Sequence, residues 1–397
     1  PILVNSYFEG EGLSVQVTLI CAGLGTLFFH LCTKLKVPAF LGSSFAFLGG
    51  FSTIAQLDTG IFADMTMGEK LPYACGGIVV AGALYLILAL VIKVVGVKKV
   101  MRFLPPVVTG PIIICIGLSL APSAVNNAST NWILALIALA VIIIFNIWGK
   151  GMFRIIPILL GVVISYAAAL IMQAAGLTNP DGSAILNFTE VASASWVGLP
   201  PFQLCKFNLT AILVMAPIAL ATMMEHIGDM SAISATVGEN FIEDPGLHRT
   251  MLGDGLACIV AGLIGGPPVT TYSEVTGAIS LTKITDPAVI RIAAVSGIVF
   301  SVFGKVSALL KSIPAAVLGG IMLLLFGTIA AVGINSLIQN RTNLGDTRNL
   351  IIVSLILTFG IGGAAIEFGG FTMAGIGLSA LLGVFLNLVL PKSKTLP

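Results

Sequence analysis

Three carboxylates lie where carboxylates are rare. Glu225 and Asp229 fall late in an apolar run, 208–230, and Glu274 follows the β-prone stretch Val269-Thr270-Thr271-Tyr272 inside a second one. An ionisable group deep in hydrocarbon is costly and marks a functional site by default. Glu225 and Asp229 are four residues apart, so on a helix they share one face. No Lys or Arg lies between Leu209 and Met230, or between Pro267 and Thr282, to make a structural ion pair. Carboxylates gathered in a dry site cannot all stay charged, so at least one holds a proton near neutral pH. The chemistry this suggests is proton-linked carriage of a small ligand, with Glu225, Asp229 and Glu274 as the proton-coupling groups.

Other candidates are more ambiguous. His226, beside Glu225, reads either as a proton relay on another helix face or as a packed histidine with a backbone partner. Asp254 reads as a helix-end acid. Asp229 with Asp254 would make an intramembrane aspartyl protease, but that needs Gly-x-Gly-Asp, and Met251-Leu252-Gly253-Asp254 lacks the first glycine. No catalytic residue, metal site or cofactor is expected. The six cysteines, Cys21, Cys32, Cys75, Cys115, Cys205 and Cys258, have no metal-ligand spacing and read as small buried side chains.

The elements that position the acids must be membrane helices. Of 397 residues, 57% are hydrophobic and only 9% charged, against about 25% charged in a soluble domain. Mean hydropathy is +1.07. These values exclude a soluble enzyme and a disordered chain. The net charge of +2 offers no basic stripe for nucleic acid. Apolar runs near 13–33, 73–97, 106–125, 131–149, 153–175, 208–230, 250–265, 287–305, 313–338, 348–364 and 371–390 are expected to span. Two further stretches, 38–57 and 267–284, are broken by Pro and Gly. If each broken stretch also crosses once, 15 of the 19 Lys and Arg fall on one side, leaving Lys70, Lys206, Lys305 and Lys311 on the other. The basic side is then cytoplasmic. Thirteen crossings result. The opening Pro-Ile-Leu-Val reads as the tail of a further span, largely missing here.

An internal repeat is visible. Leu104-Pro105-Pro106-Val107-Val108-Thr109-Gly110-Pro111-Ile112 resembles Ile313-Pro314-Ala315-Ala316-Val317-Leu318-Gly319-Gly320-Ile321, and the two broken stretches correspond as well. By the alternation of sides, the repeats are inverted. Inverted repeats with matching broken spans point to a secondary transporter with its site at the repeat interface. Extended backbone in a membrane must be satisfied internally. The two β-prone stretches are therefore expected to pair with each other, each feeding a short helix whose N-terminus faces the centre.

These residues resemble the nucleobase–ascorbate transporter family (nucleobase:cation symporter-2), most closely its bacterial uracil permease branch. The resemblance covers essentially the whole chain. It is carried by Lys36-Val37-Pro38-Ala39-Phe40-Leu41-Gly42-Ser43-Ser44-Phe45-Ala46-Phe47, Glu225-His226-Ile227-Gly228, Asp244-Pro245-Gly246-Leu247-His248-Arg249, and Thr270-Thr271-Tyr272-Ser273-Glu274 running to Thr282-Lys283. It implies an all-α polytopic membrane protein with a seven-plus-seven inverted repeat and short strands in broken spans 3 and 10. It also implies a core domain (1–100 and 208–310), a gate domain (101–207 and 311–397), a homodimer in the cytoplasmic (inner) membrane, and elevator-like movement of the core.

For the site, the resemblance implies that Glu225 and Glu274 accept from the ring N–H groups of a nucleobase. Phe45 packs beside the base, and Tyr272 and Ser273 line the other side. Two departures bear on the substrate. Asp229 stands where the uracil pattern has a second histidine, as in the xanthine and urate branch, and Val275 replaces an Asn after the second acid. The expected activity is proton-coupled uracil uptake, with a xanthine/urate symporter or an anion transporter on the same fold as alternatives.

Overall fold

Long apolar runs become helices because in hydrocarbon a helix pairs its own backbone groups. The computed structural model describes residues 1–8, 11–100, 105–368 and 371–391. After a short helix α1 (Ile2–Tyr7) come α2 (Val15–Cys32), strand β1 (Leu41–Ser43), a tight turn at Phe45–Phe47 and the half-length α3 (Leu48–Ala55). The first half continues with α4 (Met67–Val95), α5 (Pro106–Ser129), α6 (Trp132–Ile147) and α7 (Pro157–Ala174). The second half holds α8 (Leu209–Met215), α9 (Ile218–Val237), α10 (Leu247–Leu263), strand β2 (Val269–Thr271) and the half-length α11 (Ser273–Thr282). It ends with α12 (Pro287–Ser301), α13 (Gly304–Lys311), α14 (Ala315–Gln339), α15 (Thr347–Ile361), strands β3 (Ala365–Phe368) and β4 (Phe371–Ala374), and α16 (Gly375–Val389).

Every expected run, including both broken ones, is occupied by one of these elements. Among the described residues six helices are long and apolar enough to span on length and composition, and α12 with α13, bent by 90°, makes up to seven. The remaining positions hold shorter or interrupted helices. The run 208–230 is interrupted at Pro217, which has no N–H to continue the ladder, and its second part extends to Val237. The run expected as a helix over 371–390 begins instead as β4, paired antiparallel with β3, and turns helical only at Gly375. Hydropathy does not distinguish these, because an apolar strand and an apolar helix read alike over four residues.

Two sets of helices pack within themselves. In one, α10 lies against α4 and α2, α12 against α2, and α8 against α4. In the other, α14 lies against α5 and α6, α6 against α7, and α15 against α5 and α16. Each set is centred on an antiparallel pair held close by glycines. A Cβ on Gly333 of α14 would sit 2.6 Å from the Gly110 carbonyl of α5, and one on Gly82 of α4 would sit 2.7 Å from the Gly255 carbonyl of α10. Small residues at such crossings let backbones approach, which is where membrane helices gain packing energy. The antiparallel run of α5 against α14 agrees with the inverted sense expected for the repeat.

Candidate functional site

The site grows from a ribbon of two strands. Leu41 pairs with Thr271, Gly42 with Thr270 and Ser43 with Val269, antiparallel. Ser44 N–H donates to Pro268 O (2.9 Å) and Tyr272 N–H to Phe40 O (3.1 Å), extending the ladder by one bond at each end. The pairing expected between the two broken spans is therefore present. Its outer edges are satisfied by side chains. On one edge Thr26 Oγ1 receives Leu41 N–H at 2.9 Å. On the other, Cys258 Sγ donates to Val269 O at 3.1 Å, while Cys75 Sγ donates to Gly266 O just before the strand. Cysteines read as mere filler thus serve as weak donors that replace missing strand neighbours.

Each strand feeds a half-helix. The turn at Phe45–Phe47 leads into α3, and β2 leads into α11, so both N-termini open beside a ribbon only roughly 10 Å long. Two helix starts there offer unpaired N–H groups and partial positive charge to a polar ligand. Tyr272, at the N-terminal boundary of α11, folds back over the ribbon. Its hydroxyl donates to Ser43 O at 2.8 Å, and its ring occupies the space a Cβ at residue 42 would need, 2.4 Å away. Gly42 is required there. Ser273 and Glu274 take the first two positions of α11, and their side chains lie outside the described residues. Phe45 is half-buried and meets Phe326 of α14 edge to face, with ring centroids 6.3 Å apart. Phe326 was not singled out in the sequence, where it is one apolar residue in a run.

Helix α9 brings Asp229 to the ribbon. Glu225 is half-buried, while Asp229 is buried and accepts from the Thr271 hydroxyl at 2.9 Å. His226 is fully buried and shares that threonine: Nδ1 lies 3.2 Å from Thr271 Oγ1 and Nε2 lies 2.9 Å from Thr250 Oγ1. The histidine therefore turns to the same strand as Asp229, and its partners are side chains rather than backbone.

Hydroxyl bookkeeping is informative here. Thr271 gives its proton to Asp229 and Thr250 gives its own to Leu247 O at 3.0 Å. Each ring nitrogen lies within hydrogen-bond distance of a threonine hydroxyl, and the tautomer sets which partner donates. A buried acid stands beside it. Asp254 Oδ2 is 2.9 Å from His226 Nδ1, at ion-pair distance, though neither Asp254 oxygen has a well-directed hydrogen bond among the described residues. Asp254 is fully buried. The helix-end reading of Asp254 is corrected: α10 begins at Leu247, so the acid lies about 10 Å inside the helix. A continuous polar chain, Asp254–His226–Thr271–Asp229, runs under the ribbon. Among the described residues no cluster of three or more His, Cys, Asp or Glu could hold a metal.

One basic residue reinforces the half-helix. Lys70 of α4 is buried, and its Nζ donates to Ala55 O (3.0 Å) and Leu57 O (2.6 Å) at the C-terminus of α3. A cation there complements the helix dipole. The sequence placed Lys70 in a loop on the weakly basic side.

Known proteins carry the same pattern. A family model described as a permease family matches residues 1–368. The chain is 41% identical over 395 residues to a "Probable uracil permease" of Pasteurella multocida, covering 97% of this chain and 89% of the relative. It is 41% identical over 404 residues to a "Uracil permease" of Bacillus subtilis, covering 96% and 88%. Among solved structures, the murine Slc26a9 anion transporter in the inward-facing state aligns with a TM-score of 0.61 at 10% identity, covering 98% of this chain and 68% of that one. At that identity the likeness speaks for the fold alone, a seven-plus-seven arrangement shared with this chain. With its fold, its ribbon and its whole length matched in this way, the chain is a multi-pass membrane protein that belongs to the nucleobase–ascorbate transporter family of permeases.

Proposed function

We propose that this permease carries a nucleobase, uracil first, into the cell together with protons. The observation that carries the reading is the meeting of two half-helix N-termini at a paired ribbon, with Asp229 of α9 accepting from the ribbon's Thr271. A carboxylate accepts from ring N–H groups, so Glu225 and Glu274 suit the two N–H donors of a small planar lactam. Phe45 supplies an aromatic face, and Tyr272 and Ser273 close the other side. Relatives named uracil permease, similar over most of their length, support uracil as the base.

Proton coupling follows from charge. Glu225, Asp229 and Glu274 cannot all remain ionised in a site closed from water. A proton taken up on one side and released on the other would accompany the base. Movement is assigned to the two packing sets. The core domain, 1–100 and 208–310, carries the ribbon and acids, and slides as an elevator against a gate domain, 101–207 and 311–397. The concentration of helix packing within each set supports this division. The protein works as a homodimer in the cytoplasmic membrane, with its basic end inside.

A xanthine/urate symporter is the second reading, favoured by Asp229 in place of histidine. Labelled uracil uptake into proteoliposomes, with unlabelled xanthine and urate as competitors, separates the two. Purine competition that abolishes uracil uptake would transfer the assignment to the second reading.

A further inference from the structure

Away from the ribbon, toward the weakly basic end, a cavity of about 380 Å³ opens between the two packing sets. One wall is α3, the opposite wall is the outer half of α5, and the ends of α15 and α16 close the back. Its volume falls within the range of roughly 300–1,000 Å³ typical of small-molecule sites. Its polar lining includes Tyr7, Ser52, Thr53, Ser119, Ser123 and Asn126, with no carboxylate and no cation among the described residues.

The hydroxyls are not free to point as they please. Thr53 Oγ1 donates to Gly49 O at 2.9 Å, Ser123 Oγ to Leu120 O at 2.8 Å, and Ser119 Oγ to Ile116 O at 3.4 Å. With their protons committed to helix carbonyls, these oxygens are left as acceptors, that of Ser123 already paired with the Tyr7 side chain. The exposed Asn126 amide adds a donor and an acceptor. Gly363 and Gly375 also line the space, and a Cβ on either would meet nothing within 4 Å, so backbone rather than side chain faces it there. Acceptors on two walls and the Asn126 amide fit a ring with N–H and C=O groups side by side.

We propose that this cavity is an entry subsite for the lactam edge of a nucleobase, occupied before the base reaches Glu225. The proposal rests on the nucleobase reading above. Hydroxyl acceptors without a carboxylate hold a neutral base more weakly than the ribbon site does, which lets it move on.

The test is chemical protection. Ser119→Cys is made in a Cys205→Ser background, because native Cys205 is half-buried beside the outer Lys206, and a membrane-impermeant thiol reagent is applied to whole cells from outside. Cys115, one turn deeper on α5, is buried and donates to Ile356 O, so the native thiol of this helix stays silent. The measurement is repeated in Ser119→Cys with Glu225→Gln, which removes the ribbon site. Uracil at ten times its half-protecting concentration leaves about a tenth of the cavities free, so modification is expected to slow about tenfold in both backgrounds. Pyrimidine, which lacks a ring N–H, should not protect. Absence of labelling from outside, loss of protection in the Glu225→Gln background, or equal protection by pyrimidine would each overturn the subsite. Protection by xanthine but not uracil would keep the cavity as a lactam site and overturn the uracil reading instead.

Discussion

The rings of Phe45 and Phe326 meet edge to face at 80°, with Phe45 on the strand-and-half-helix unit and Phe326 on α14 of the opposite packing set. This contact joins the two sets beside the ribbon. An aromatic pair of this geometry contributes about 0.5–1.5 kcal/mol beyond the area it buries.

If the base packs against Phe45, Phe326 forms the far wall of the same space. Phe326→Ala is expected to raise the half-saturating uracil concentration about tenfold while protein yield falls less. Phe326→Tyr, which keeps the ring, should stay near wild type. Concentration-dependent uptake measures both.

Removing His226 breaks the polar chain at its centre. His226→Ala leaves Thr250, Thr271 and Asp254 without their shared partner, and a buried polar group left unsatisfied costs about 1–3 kcal/mol. A lower melting temperature in detergent is expected, together with loss of uptake. Asp254→Asn should lower stability as well, because it replaces one of the two carboxylate oxygens beside His226 with an N–H group. Wild-type melting in both variants would show that the chain does not hold the ribbon.

Lys70 is expected to matter out of proportion to its place at the end of a helix. Lys70→Met strips the donor from two carbonyls at the C-terminus of α3, an expected loss of about 1–3 kcal/mol. The first turn of α3 should then shift at the ribbon, weakening uracil binding. Lys70→Arg should recover part of both. Thermal melting with and without uracil reads the two effects separately.

The loop between α9 and α10 gives a pH prediction. Hydrogen bonding to the Lys36 ammonium holds the Asp244 carboxyl below the usual carboxylate range. A depressed carboxylate contributes stability above its unfolded value, about 3.9, and loses it as pH falls through the folded value. The pair is exposed, so the effect is small. Lys36→Met should flatten the acid limb of a melting-temperature profile below about pH 4 and change nothing near neutrality.

Much of this was legible in the sequence, for physical reasons that differ by element. The helices announce themselves because hydrocarbon demands long apolar runs. The ribbon was legible from prolines and β-prone residues in both broken spans, since only pairing satisfies extended backbone there. The β3–β4 hairpin was not, because Phe371-Thr372-Met373-Ala374 is as apolar as the helix that follows. Asp254 was misplaced because its depth depends on a helix that starts earlier than the apolar run suggests. Phe326 and Lys70 act across sequence separations of 281 and about 15 residues, and spacing alone carries no sign of either contact. The side chain of Glu274 lies outside the described residues, so its role rests on the sequence pattern.

Asp229 is where sequence and geometry bear on specificity together. Its carboxylate is engaged by Thr271, which suggests that it sets the strand as well as the ring. Asp229→His is expected to shift the uracil-to-xanthine uptake ratio toward uracil by about tenfold, worth roughly 1.4 kcal/mol. An unchanged ratio would confine Asp229 to a scaffold role.

The most direct test is uptake of labelled uracil into proteoliposomes containing this protein, with and without an inward proton gradient, beside Glu225→Gln and Glu274→Gln. Gradient-driven accumulation by the wild type, lost in both variants, is the predicted result. Uptake indifferent to the gradient, or retained at wild-type affinity when either glutamate is changed, would contradict the account.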